Sequence, residues 1–328
     1  MTIQRVGGFI TLAIALQAQP YTLGQGLDIN PMLNVGGYFS SDFSSKNHQE
    51  AVSLDDVAVM AYGEINPMFS YLAEIEAAGF YRKNISTGEE IGNQKFHVER
   101  LYGDLWLSDA YNLRFGKMLT PIGYWNTQPI NVLRDTSSNP LYSMLLFPKF
   151  VSGVDLNGYL PGVDNVHYHL FAQKNHDLDE KYVTFPNEHF YGFSAEKELT
   201  NESSFGGSAG EYITLTHQRT RFVEANAKYD DSQWQVMSEM MFAKNDFADN
   251  DHALTLSGYA QGMYRYTQEH AFVGRYEYYN DHHTNYVDNI AVAGYSYRPC
   301  YPVSLKGEYQ KHSLRDENTF LFSLSVLF

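Results

Sequence analysis

The sequence predicts an all-β fold, a transmembrane antiparallel β-barrel of about sixteen strands. Three observations predict it. Segments of about ten residues alternate apolar and polar side chains with period two, and turn residues separate them. The chain is rich in aromatics, with 26 Tyr, 21 Phe and 3 Trp among 328 residues. Its mean hydropathy is nevertheless -0.38, and no stretch after the N-terminus is apolar for long enough to cross a membrane as a helix. Charged residues are 19% of the chain and 25 residues are glycine. Such a composition suits amphipathic strands, because a closed barrel pairs its backbone between strands and needs apolar side chains only at alternate positions.

The N-terminus reads as an address rather than a strand. Met1 to Arg5 carries one basic residue, Val6 to Leu16 is largely apolar, and Ala13, Ala15 and Ala18 supply small residues, the pattern of a secretory signal peptide. Ala-x-Ala spacing favours a cut after Ala15 and the length of the apolar run favours Ala18, so residues 1–18 are assigned to the leader. Residues 19–328 form one barrel domain, because no Pro/Ser/Gly-rich linker, charge block or composition shift divides them. No cysteine near the leader offers a lipid anchor, and Cys300 alone cannot form an internal disulfide. It sits in Arg298-Pro-Cys-Tyr-Pro, a turn-like run.

Alternation and turn signals place strands near 31–40, 54–65, 69–81, 96–108, 112–119, 152–160, 164–173 and 189–199 in the first part of the chain. The remainder falls at 208–218, 220–230, 233–244, 252–266, 270–280, 286–298, 303–312 and 318–328. If both termini face the periplasm, every second connection should be short. Asn66-Pro67, Asp109-Ala110, Pro161-Gly162, Thr200-Asn201, Asp231-Ser232, Gln268-Glu269 and Pro299 to Pro302 are all tight and rich in turn residues. The alternate connections include the longer Ser41 to Ser53, Arg82 to Lys95, Thr120 to Val151 and Lys174 to Glu188, as extracellular loops should be.

Several strands show one lipid-compatible face. Leu254, Leu256, Ala260 and Tyr264 alternate with Thr255, Ser257, Tyr259 and Gln261; Val303, Leu305 and Tyr309 alternate with Ser304, Lys306 and Glu308. Phe272, Tyr276 and Tyr278 oppose Arg275 and Glu277, and Val223, Ala225 and Tyr229 oppose Glu224 and Lys228. These charges should point inward, since a charge facing lipid at the midplane costs about 2–4 kcal/mol and one facing a wet lumen costs little. Strands 189–199 and 233–244 alternate less cleanly. The last strand puts Phe320, Phe322, Leu324, Val326 and Phe328 on one face, with Thr319, Ser323 and Ser325 on the other beside Leu321 and Leu327. It resembles the C-terminal strand of bacterial outer-membrane β-barrels, in which the final Phe is an assembly signal. That resemblance implies the barrel assembly machinery as a partner through Phe328, and lipid and lipopolysaccharide as surroundings.

The longest connection, Thr120 to Val151, falls between the fifth and sixth strands and is therefore the third long loop. Leu141, Met144, Leu145, Leu146 and Phe147 give it an apolar run that needs something to pack against. Its length and position resemble those of sixteen-stranded porins, whose third extracellular loop folds into the pore, and that resemblance completes the predicted fold. Arg114-Phe-Gly-Lys-Met-Leu-Thr-Pro-Ile-Gly123 leads into the loop and resembles the Gly-x-x-x-Thr-Pro-x-Gly segment of the phosphate-selective porin O/P group. Gly116 and Gly123 would relieve backbone crowding, and Pro121 would end the strand. The loop offers only Arg134 and Lys149 as cations, and Lys plus Arg total 23 against 38 Asp plus Glu, so the basic ladder needed for phosphate is missing.

The resemblance implies a porin admitting small hydrophilic solutes and ions by passive diffusion, with no cofactor, and leaves room for a homotrimer. Arg134, Asp135 and Lys149 on the loop would face Arg100, Arg114, Arg265, Arg275, Lys306 and Glu308 on the wall and set a transverse field at the pore constriction. The inward carboxylates Glu74, Glu76, Asp104, Asp155, Glu196, Glu224, Glu239, Glu277 and Glu308 outnumber the inward cations, which predicts weak cation preference unless they pair across strands. A net charge of -15 argues against nucleic acid as a partner. Two other classes compete. A receptor or adhesin barrel would have an occluded lumen and no conductance. An outer-membrane hydrolase would need a site such as His167-Tyr-His169, or Asp281-His-His283 with Asp288, but neither spacing is specific.

Overall fold

The computed structural model describes residues 21, 23–92, 95–179, 185–247, 252–313 and 318–328; the assigned leader, 1–18, lies outside them. Sixteen long strands follow one another in the described residues. They are β1 (Leu33–Lys46), β2 (Gln49–Asn66), β3 (Phe69–Asn84), β4 (His97–Ser108), β5 (Tyr111–Leu119), β6 (Phe150–Tyr159), β7 (Val166–Gln173) and β8 (Asn187–Glu198). The second half comprises β9 (Ser203–Thr214), β10 (Arg219–Asp230), β11 (Trp234–Asp246), β12 (His252–Arg265), β13 (His270–Asp281), β14 (Tyr286–Cys300), β15 (Val303–His312) and β16 (Thr319–Leu327). Each pairs antiparallel with the next, and β16 pairs with β1 from Thr319↔Lys46 to Leu327↔Tyr38, so the sheet closes and leaves no edge. Two short extra strands, Leu27–Asn30 and Glu90–Gly92, add to β1 and β3.

Burial alternates along the wall as period two requires. On β11, Trp234, Val236, Met240 and Phe242 are exposed while Gln235, Met237, Glu239 and Met241 are buried. Lys306 and Glu308 point inward with Ser304, and Phe272 and Tyr276 point outward, each 54% exposed. The seven short connections lie at one end and carry an outward ring that includes Trp106, Tyr111, Tyr159, Trp234 and Tyr301.

Two expectations are corrected. Ser41 to Ser53 is not a loop: β1 and β2 continue through it to a tight turn at Asn47 and His48, whose φ values of 51° and 62° suit a two-residue hairpin. Ser40, Ser41, Ser44 and Ser45 resemble loop composition, but Ser40 and Ser44 fall on the lumen face, while Ser41 and Ser45 share the outer face with Phe39 and Phe43. The ninth strand spans Ser203–Thr214 rather than 208–218, because the turn lies at 215–218, with His217 at φ 62°.

Candidate functional site: the loop seated on the inner wall

Residues 120–149 join β5 to β6 and lie against the inner faces of strands across the barrel. A loop carried away from bulk water must find partners for its peptide groups. The wall supplies them in complementary kinds. Carboxylates accept amides: Trp125 N donates to Glu239 Oε1 at 2.8 Å, Leu141 N to Glu277 Oε2 at 2.9 Å, and Ser137 N and Ser138 N to Glu308 at 2.9 and 3.1 Å. Cations donate to carbonyls: Lys306 Nζ reaches Asn131 O and Oδ1 at 2.6 Å each, and Arg298 binds Val132 O and, at 2.7 Å, Arg134 O. Arg275 holds Thr136 Oγ1 at 2.7 Å and Ser138 O at 3.1 Å. Charge-assisted bonds of this kind are roughly twice as strong as neutral ones.

Apolar packing completes the seat. Trp125, Tyr142, Leu146 and Phe147 from the loop join Phe171, Phe190, Tyr212, Phe222, Met241 and Tyr259 of the wall in one buried cluster. Trp125 meets Tyr259 edge-on at 5.9 Å, and Tyr142 meets Phe147 at 5.6 Å. A 3₁₀ turn at Asn131–Leu133 presses Val132, next to Ile130, onto Tyr38, Ala58 and Met60. The helix α1 (Leu141–Leu145) lies against β11, β12 and β13.

The two motif glycines are both needed. Gly116 has φ 123°, and a β-carbon there would fall 2.2 Å from Leu101 O. Gly123 has φ 63°, and its β-carbon would fall 1.8 Å from Glu239 Oε2. β5 ends at Leu119, two residues before Pro121.

The expected constriction residues separate into three groups. Arg275, Lys306 and Glu308 are brought to the loop, but beneath it, at 3%, 1% and 2% exposure. They hold its backbone from below. Arg265 is not brought to the loop: as the last residue of β12 it binds Asp230 Oδ1 at 2.8 Å and Asp231 O at 2.6 Å, at the short-turn end. Period two gave its face, not its height. Arg100 pairs with Glu74, and Arg114 with Asp104 at 2.8 Å while lying 4.1 Å over Tyr102; neither bonds to the loop.

On the loop itself, Arg134 donates to Gln128 O at 2.5 Å and lies 5.1 Å over Trp125, and Asp135 receives Arg298 at 3.3 Å. Lys149 bonds Glu99 at 2.7 Å. Burial pulls the Lys149 ammonium down, but Glu99 and Glu76 outweigh it and raise the group above the ordinary lysine range. Asp155 pairs with His169 at 2.8 Å, and the His167 and His169 rings lie 4.8 Å apart. Among the described residues no cluster of three His, Cys, Asp or Glu is arranged to hold a metal.

Glu239, Glu277 and Arg298 are the anchors that sequence reasoning did not assign to the loop. Glu239 and Glu277 had the right face, but their partners lie more than a hundred residues away. Arg298 sat in an apparent turn, whereas β14 runs through to an exposed Cys300.

No family model matches the chain, and no curated protein matches it. Solved structures do. OmpF of Salmonella typhi, in complex with daunomycin, aligns with TM-score 0.66 at 11% identity, covering 90% of this chain and 97% of that one. OmpT of Vibrio cholerae, in its trimer form, gives TM-score 0.65 at 10% identity over 90% and 99%. The outer-membrane channel DcaP of Acinetobacter baumannii gives 0.64 at 10% over 92% and 99%. At this identity the likeness shows the fold, and the fold of this chain is the closed sixteen-stranded barrel that those outer-membrane proteins share.

Proposed function

We propose that the chain is a bacterial outer-membrane porin, a water-filled channel for passive diffusion of small hydrophilic solutes and ions. The observation that carries this reading is the contrast between the two sides of the lumen. The loop packs on the wall from Phe171 on β7 round to β15 and, through its 3₁₀ turn, on β1 and β2, while Arg114 and His169 on the inner wall keep side-chain exposures of 32% and 26%. Charged groups on the inner face of a barrel retain such exposure where water reaches them. The narrowest point in this reading lies between the loop, with Arg134 and Lys149, and the wall pairs Glu74–Arg100, Asp104–Arg114 and Asp155–His169. Those alternating pairs give a transverse field without a ladder of one sign, so phosphate selectivity of the porin O/P kind is not proposed.

The long loops would then face outside and the short turns the periplasm, after removal of a leader ending near residue 18. Phe328 would serve assembly, and a homotrimer, the form in which OmpT of Vibrio cholerae is described, is the assembly proposed. The competing reading is an occluded receptor barrel, favoured by the size of the buried aromatic cluster between loop and wall. Single-channel recording of the refolded protein in planar bilayers separates the two. Discrete ohmic steps with a measurable reversal potential in a salt gradient support the porin; a correctly folded barrel that never conducts removes it.

A further inference from the structure

The inner wall treats its carboxylates differently by sector. From β3 to β6, Glu74, Asp104 and Asp155 are paired with Arg100, Arg114 and His169. On β13 and β15, Glu277 and Glu308 are occupied by loop amides, and Glu277 also by Arg275. Between these sectors, Glu196, Glu224 and Glu239 make no ion pair among the described residues. Lys228, on the same face, pairs with Asp230 at 3.6 Å instead.

Glu224 is satisfied by Ser208 Oγ at 2.6 Å and Asn226 Nδ2 at 2.9 Å, and Glu239 is held through Oε1 by the Trp125 amide and the Tyr259 hydroxyl, its Oε2 being sealed beneath Gly123. Glu196 has only the Tyr124 hydroxyl of the loop beside it. It lies in a cross-strand row that reads His167, Glu196, Gly206, Asn226 and Glu239 over β7 to β11. Gly206 contributes no side chain, so the row has a gap, and a cavity of about 90 Å³ opens there. Tyr124 and Thr127 of the loop close one side; His167, Ser194, Glu196 and Asn226 form the other. Because Asn226 turns its amide nitrogen to Glu224, its Oδ1 is left buried without a partner.

Around this cavity the Tyr124 hydroxyl is bonded to Ser204 Oγ at 2.9 Å and reaches Glu196, and His169 is bonded to Asp155; what remains to be met is the Glu196 carboxylate and the Asn226 carbonyl oxygen, next to the Ser194 hydroxyl and the His167 ring. A ligand that satisfies them must bring positive charge and several N–H donors, and a primary ammonium has three donors and no acceptor. We propose that this cavity binds the primary ammonium group of an organic amine, giving the lumen an affinity site for cationic solutes. The inference deepens the channel reading and relies on it only for how the amine arrives.

The probe is 1,4-diaminobutane, with uncharged 1,4-butanediol as its counterpart. Binding is measured by calorimetry on the detergent-solubilised barrel, and block of potassium current in planar bilayers. The expected result is that the diamine binds and blocks, the diol does neither, and Glu196→Gln raises both the dissociation constant and the half-blocking concentration about tenfold or more, as loss of a charge-assisted hydrogen bond implies. Glu202→Gln removes the same charge from an exposed short turn and should change neither value. Equal binding by wild type and Glu196→Gln, each with the same heat-modifiable gel mobility, overturns the proposal, as does equal binding of the diol. A barrel that binds the amine but carries no current removes the channel reading and leaves the site standing.

Discussion

Glu239 Oε1 accepts the Trp125 amide at 2.8 Å, and its other oxygen lies where a β-carbon on Gly123 would have to go. One wall carboxylate therefore fixes both the height and the direction at which the loop enters the lumen. Tyr259 O–H also donates to it. Glu239→Ala should orphan a buried amide, an effect worth about 1–3 kcal/mol, and Gly123→Ala should displace the same loop by collision. Each variant is expected to raise open-channel current noise and shift Trp125 fluorescence to the red in a Trp106→Phe/Trp234→Phe background. Because both act on one contact, the double variant should fall short of the sum of the singles. Full additivity would place the two residues in separate interactions.

Arg134 and Lys149 test whether the loop faces the conducting path. Lys149 neutralises Glu99 beside Glu76, and Arg134 lies over Trp125. Replacing both with Ala removes two positive charges and leaves the carboxylates of β3 and β4 in place. The potassium-to-chloride permeability ratio should rise by about twofold or more, because charges at a narrow aqueous point act on every passing ion. Reversal potentials in a salt gradient measure it, and an unchanged ratio would put the loop away from the path.

The barrel was legible in the sequence because strand periodicity is local, and so was the face taken by Lys306, Glu308, Arg275 and Glu277. Legibility failed where that local rule meets a second surface. β8 and β11 alternate poorly in hydropathy because Phe190, Met237 and Met241 face the loop's aromatic cluster while Tyr191, Phe193, Val236 and Phe242 face outward. Both faces are apolar, so period two loses its contrast. The seat of the loop was illegible for another reason. Ser137 and Glu308 are joined by tertiary structure alone, and no spacing announces it. Gly123 was the single local signal: its place after Thr-Pro marked crowding without naming the carboxylate responsible.

The turn at Asp231 gives a pH prediction at the short-turn end. The Trp234 amide, the Tyr229 hydroxyl and the Gln233 amide all donate to this carboxylate and hold it below the ordinary carboxylate range. A depressed folded value means that the stabilisation is present above the unfolded value of about 4 and is lost as pH falls through the folded one. Asp231→Ala should therefore lower the unfolding temperature slightly at pH 7, and the gap to wild type should close on acidification below pH about 4. A gap that is the same at both ends of that range would remove the carboxylate from the account.

The seam of the barrel is closed by its last residue. Phe328 N donates to Gly37 O and Gly37 N to Phe328 O, both at 2.7 Å, while the Phe328 ring covers Gly37 so closely that a β-carbon would fall 2.7 Å from Cζ. Two roles are thus combined in one residue, and they can be separated. Phe328→Ala keeps both backbone bonds and removes the ring, so the purified chain should still refold in detergent to a heat-modifiable barrel, with its melting lowered by the lost aromatic burial, about 1–3 kcal/mol. In cells the same variant should accumulate poorly in the outer membrane if the ring is also what the assembly machinery reads. Gly37→Val, which leaves Phe328 intact, should instead impair refolding in vitro, since its side chain collides with Ala58 O as well as with the ring. Normal refolding of Gly37→Val would show that the seam closes without the contact described.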